Sequence, residues 1–144
     1  MKVEREIDIA AAPEEVYALL MDAGRLEDWV TIHVELVDAP DAPLKKGSKI
    51  TQRLKLAGKC FTVRWTVVEN ERARRVVWEG RGPMRSKASA IYDLAPAGDG
   101  TRFSYTNEYE LPGGPLGRLA GPVVCRVTAG ELDRSLERLR RLVE

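Results

Sequence analysis

His33 is the only histidine in the chain, and with an ordinary pKa of about 6.5 it is the side chain best suited to act as a general base near neutral pH. Tyr109 is the second weak candidate for acid–base work. No Ser-His-Asp set, metal-ligand spacing or glycine-rich phosphate loop accompanies either residue, so no metal and no cofactor is expected. Cys60 and Cys125 have no CxxC neighbour and read as free thiols. The remaining candidates suit binding better than bond making. Trp65, Tyr92, Tyr105 and Tyr109 offer flat walls for a ring or an acyl chain, with Trp29 and Met84 near the mouth. Gln52, Ser86 and Asn107 interrupt an otherwise apolar pattern. A buried amide without a partner costs roughly 1–3 kcal/mol, so Gln52 and Asn107 must each bond a neighbour, a water or a ligand.

These residues share one face of a sheet. From Ile50 to Leu111 the chain alternates with period two. One face reads Ile50, Gln52, Leu54, Leu56; Phe61, Val63, Trp65, Val67; Met84, Ser86, Ala88, Ala90, Tyr92, Leu94; Phe103, Tyr105, Asn107, Tyr109, Leu111. The other carries Lys49, Arg53, Lys55, Arg64, Arg85, Lys87 and Arg102 among Ser and Thr. An antiparallel sheet with one dry and one wet face is expected. Ser86, Ala88 and Ala90 are small where a solid core needs bulk, which leaves either a cavity or a closely pressed helix above them.

Upstream, Lys2–Ile9 reads as a strand, Pro13 with Glu14 and Glu15 as a helix start, Arg25 to Val30 as a short helical turn, and Val34 to Ala39 as another strand. Ala57-Gly58, Asn70 to Ala73, Gly80 to Pro83 and Ala97 to Gly100 are turn signals, giving a meander. From Leu116 onward the chain reads as helix, with Leu132, Leu136, Leu139 and Val143 on one face and Glu137 placed for an i,i+4 pair with Arg141. Leu116, Leu119 and Ala120 extend the stripe, and Gly121-Pro122 predicts a kink or a helix that starts properly there.

At 144 residues and 44% hydrophobic, one domain spanning 1–144 is expected. Lys+Arg 23 against Asp+Glu 22 leaves a net charge of +1, too little cation for nucleic acid to be the main partner. The basic residues of the wet face, Arg53, Lys55, Arg64, Arg85 and Lys87, read as ordinary solvation or as a local patch. No apolar signal region or bilayer-length run is present, so a cytoplasmic protein without stable membrane insertion is expected.

One strand, two short helices, six meandering strands and a long final helix is the order of the α+β helix-grip fold. The segment from Ile9 to Leu20 through Leu26-Glu27-Asp28-Trp29, the turn Gly100 to Tyr105 and the stretch Leu132 to Leu139 resemble the START-like SRPBCC superfamily of polyketide cyclases, dehydratases and lipid-transfer proteins. Trp29 to His33 with Trp65 to Val68 is similar to small bacterial members, some of them toxins of toxin-antitoxin pairs. The resemblance implies a curved sheet of about seven strands wrapped around the last helix, with a cavity between them. Its implied function is binding, transport or sensing of a small hydrophobic or aromatic molecule; alternatives are a cyclase or aromatase-type enzyme and a toxin or other module with a protein partner. The inward positions Leu54, Val63 and Trp65 lack the cationic pocket residues associated with the cyclases, which weighs against cyclisation.

Overall fold

A computed structural model describes residues 2–110 and 121–144. Its elements are β1 (Lys2–Ile9), α1 (Pro13–Leu20), α2 (Leu26–Trp29), β2 (His33–Asp38), β3 (Lys49–Leu56), β4 (Lys59–Glu71), β5 (Arg75–Arg81), β6 (Lys87–Ala97), β7 (Gly100–Tyr109) and a C-terminal helix, α3 (Gly121–Val143). A 3-10 turn over Ala23–Arg25 precedes α2. The seven strands form one antiparallel sheet in the order β1-β7-β6-β5-β4-β3-β2, so only the first strand joins out of sequence. Helix α3 crosses the inner face, and the α+β helix-grip architecture is as expected.

The period-two pattern decides which side chains meet the helix. Ile50, Gln52, Leu54, Val63, Val67, Ala90, Tyr92, Leu94, Phe103 and Tyr105 are buried, together with Val76, Trp78 and Gly80 of β5. The register aligns them in rows, one of them Val67–Trp78–Ala90–Asn107–Val3. Between Val67 and Glu69 the β4–β5 register slips by one residue, a bulge that adds twist and helps the sheet curl. At the centre, Tyr92 packs edge-on against Phe103 (centroids 5.7 Å apart) and Trp29 (6.2 Å), and lies 5.2 Å from Tyr105. Such pairs each add about 0.5–1.5 kcal/mol beyond their burial. Trp29 is therefore a keystone of the core at 1% exposure, not a residue at a pocket mouth.

Two expectations need correction. Strand β6 begins at Lys87, so Met84 and Ser86 are not on the inner face. Residues Pro83–Arg85 form a 3-10 turn in which Met84 is 76% exposed, and the Ser86 hydroxyl donates to the Pro83 carbonyl at 2.7 Å. Proline fixes the entry to this turn, and Met84 and Arg85 both take left-handed φ values, 56° and 60°, which alternation cannot announce. The readings at Leu111, Leu116, Leu119 and Ala120 lie outside the described residues.

Helix α3 is gripped unevenly. Leu132, Leu136 and Leu139 are buried and Glu137 sits 3.5 Å from Arg141, whereas Val123 is 60% exposed and Val124, Cys125 and Val127 are half-buried. Arg5, the one polar break on the inner side of β1, is bridged to Asp133 of α3 at 3.1 Å. Because α3 closes the core through its C-terminal half, Leu139→Ala is expected to cost about 2–5 kcal/mol in urea unfolding. Leu142→Ala, at a 41% exposed position, should change stability by about 0.5 kcal/mol; equal losses would contradict this packing.

Candidate functional site

The two inner-face amides meet different fates. Gln52 is bonded on both sides: the Trp65 indole donates to its Oε1 at 3.1 Å, and its Nε2 lies 2.9 Å from His33 Nδ1. An indole nitrogen can only donate, so the Gln52 oxygen must face Trp65 and its NH2 must face His33. Nδ1 then accepts, and the neutral ring carries its proton on Nε2. Burial lowers the His33 pKa below its ordinary value, against the opposing pull of Glu27. His33 is placed at the head of β2, with its Nδ1 lone pair already used.

Trp65 reaches Gln52 on β3 while its six-membered ring lies over Gly80 on β5. A Cβ on Gly80 would stand 2.8 Å from the indole Cε3 and Cζ3 and from Val63 Cγ1, so a side chain there would displace the ring. The same cross-strand row continues through Ala88 to Tyr109. It therefore has an aromatic wall at each side and a floor of glycine and alanine. Trp65, Ala88 and Tyr109 are all half-buried, beside the loosely gripped half of α3.

Asn107 is the unbonded amide. It lies on the inner face, half-buried, and its side chain has no hydrogen-bond partner among the described residues. With Trp29, Tyr105, Thr128, Glu131 and Ser135 it lines an enclosed space of about 20 Å³, room for one water. The Trp29 indole nitrogen is buried without a partner. A larger depression of about 680 Å³ opens to solvent at the ends of β5, β6 and β7. It lies mainly on the outer face, where Lys2, Glu79, Arg81, Lys87, Ser89, Glu108 and Glu110 line it, and it meets Gly80, Ala88 and Tyr109 of the inner row; Trp65 and Asn107 do not line it.

Hydroxyls organise the helix side. Thr128 donates to the Val124 carbonyl at 2.8 Å, so the 3.0 Å bond with Tyr109 is donated by the phenol. Burial is the largest cause pushing Tyr109 up to about 12, and it pushes Tyr105 to about 12 as well. Complete burial, with Tyr105 adding to it, raises Tyr92 well above its ordinary value. All three phenols hold their protons at neutral pH. Thr31 ties the α2–β2 link to α3: its amide donates to Ser135 Oγ at 3.0 Å, and its hydroxyl meets the Glu131 carboxylate. Burial works to raise the Glu131 carboxyl, but Thr31, Arg134 and Arg138 outweigh it and hold it below its ordinary value. Thr31, Thr128, Glu131 and Ser135 stand outside the sequence candidates, although Thr128, Glu131 and Ser135 interrupt the α3 stripe at spacings of three and four. Cys60 is exposed and Cys125 half-buried, both as free thiols.

Because folding depresses the His33 pKa, the unfolded chain binds a proton there more readily than the folded one. Its contribution to stability is present above about 6.5, the unfolded value, and is lost as pH falls from there through the lower folded value. Thermal melts from pH 8 to pH 5 should fall more steeply for the wild type than for His33→Asn, which keeps an acceptor but cannot titrate; parallel curves would contradict the bonding scheme.

Comparison with known proteins places this architecture. The mycobacterial protein named "Toxin Rv0910" (Mycobacterium tuberculosis) is 25% identical over 136 residues, 94% of this chain and 93% of that protein. The structure of TTHA0849 from Thermus thermophilus has a TM-score of 0.81 at 23% identity, covering 99% of this chain and 97% of that one. CV1439 from Chromobacterium violaceum has a TM-score of 0.75 at 18% identity, with coverages of 99% and 97%. At these identities the two structures share the fold. Residues 1–144 match, from end to end, the family described as "Polyketide cyclase / dehydrase and lipid transport", and the chain belongs to that family.

Proposed function

We propose that the protein binds a small, uncharged hydrophobic or aromatic molecule on the row Trp65–Gly80–Ala88–Tyr109, with Asn107 supplying the orienting hydrogen bond. The observation that carries this reading is the row itself: two aromatic walls flank a floor with almost no side chain, and all its members that have side chains are half-buried. Family membership supports the same ligand class. An uncharged ligand suits the surroundings, because the nearby phenols are protonated donors and the Glu131 carboxylate would repel an anion.

The enzyme reading has less support. His33 has its accepting nitrogen occupied by Gln52, and Tyr109 can give a proton but holds it up to about 12, which leaves no ready base among the sequence candidates. The toxin reading has its support in the mycobacterial relative's name alone.

The test is native mass spectrometry of freshly purified protein for a co-purified molecule, followed by its titration into variants. Ala88→Leu, which fills the floor, should abolish binding while leaving the fold intact. Asn107→Ala should weaken binding about 5- to 100-fold, the equivalent of roughly 1–3 kcal/mol. Unchanged affinity in a folded Ala88→Leu protein would remove the ligand from this row.

A further inference from the structure

The outer face of the sheet is built largely from compensated charge. Arg102 lies 3.0 Å from Asp8, Arg75 2.8 Å from Asp93, and Arg53 and Lys2 each 3.9 Å from a glutamate. Lys49 and Lys55 of β3 carry no ion pair among the described residues, and one row goes further by setting cations directly opposite one another. Arg64 of β4 stands directly opposite Arg81 of β5, which stands directly opposite Lys87 of β6. All three are exposed, and among the described residues none is ion-paired. Like charges directly opposite across strands destabilise a sheet, so stability does not account for the row. Glu79 lies on the same face two residues from Arg81, and the Glu110 amide donates to the Lys87 carbonyl, yet neither carboxylate closes an ion pair with the three cations.

The turn joining two of these strands is equally unusual. Met84 and Arg85 occupy consecutive left-handed positions, where a side chain is disfavoured, and Met84 exposes 76% of its surface. Gly82 and Ser86 close the loop through a 2.9 Å backbone bond. The result is a projecting corner with an apolar tip, a fourth cation at Arg85 and three cations without an ion pair behind it.

We infer that this corner docks onto a bilayer surface carrying anionic headgroups, with Met84 entering the headgroup layer and Arg64, Arg81, Arg85 and Lys87 facing the lipid charge. Anionic lipid matches these cations, and the apolar tip distinguishes such a surface from a nucleic acid, whose phosphates give Met84 nothing to enter. This docking is peripheral: no helix among the described residues is long and apolar enough to cross a membrane. It stands independently of any ligand on the inner face.

The experiment is vesicle co-sedimentation of the full chain with phosphatidylcholine alone and with phosphatidylcholine containing 30% phosphatidylserine, at low and physiological salt. Each cation near anionic lipid is worth about a fivefold gain in partitioning. Wild type should bind only the phosphatidylserine vesicles, more weakly in salt, and Arg81→Gln with Lys87→Gln should lose about 20- to 30-fold. Met84→Ser should lose binding that salt does not restore. The double variant should melt at or above the wild-type temperature, since a repulsion has been removed, so lost binding cannot be ascribed to misfolding. No phosphatidylserine-dependent binding, equal binding by the folded double variant, or binding to a 20-base-pair duplex instead of vesicles would each overturn the inference.

Discussion

The Trp65 indole lies across its own strand, with its nitrogen on Gln52 of β3 and its benzene ring on the bare backbone of Gly80 of β5, and much of the site follows from that pose. Placing a side chain at Gly80 would lift the ring and break its bond to Gln52. With the ring in place, the Gln52 amide has one orientation, His33 has one tautomer, and the start of β2 is tied to β3 by a side-chain bond as well as by the ladder. The same glycine leaves the middle of the row empty between Trp65 and Tyr109. One close approach thus organises the polar relay on one side and opens space on the other.

The inner and outer faces divide the electrostatics. Inside, burial keeps the phenols protonated and favours neutral His33, so the inner face beside the row offers donors and polarisable surface instead of formal charge. Glu131 is the exception, and it remains ionised because Thr31 of the α2–β2 link and Arg134 and Arg138 of its own helix outweigh the effect of burial. Its hydrogen bonds are spent on fastening the α2–β2 link to α3, across the enclosed space that Asn107 lines. Asn107 and the Trp29 indole are left as polar groups whose needs the described protein does not meet.

Much of this was legible in the alternation of residues. The seven strands, the helix start at Pro13 and the Leu132–Leu136–Leu139 stripe follow from periodicity and capping chemistry, because burial on one face acts residue by residue. Met84 and Ser86 were misplaced because they continue the alternating pattern by coincidence, while the left-handed turn that carries them is set by Pro83 and the Gly82–Ser86 bond. Gln52 and Asn107 look alike in sequence; only the register shows that Gln52 lies within reach of both an indole and an imidazole, and that Asn107 faces Ala90 and Val3 across the ladder. The depth of Trp29 depends on how α2 folds over Tyr92 and Tyr105, a contact between segments that no local pattern encodes.

The row from Trp65 to Tyr109, with Asn107, is proposed as a surface for an uncharged aromatic or apolar ligand. Titration of 2-naphthol into isotope-labelled protein, followed by amide and indole resonances, is the decisive measurement. Saturable shifts are expected at Gly80, Ala88, Asn107, Tyr109 and the Trp65 indole, with the outer-face residues unmoved. Shifts confined to the outer face, or no saturable change at the row, would contradict this role.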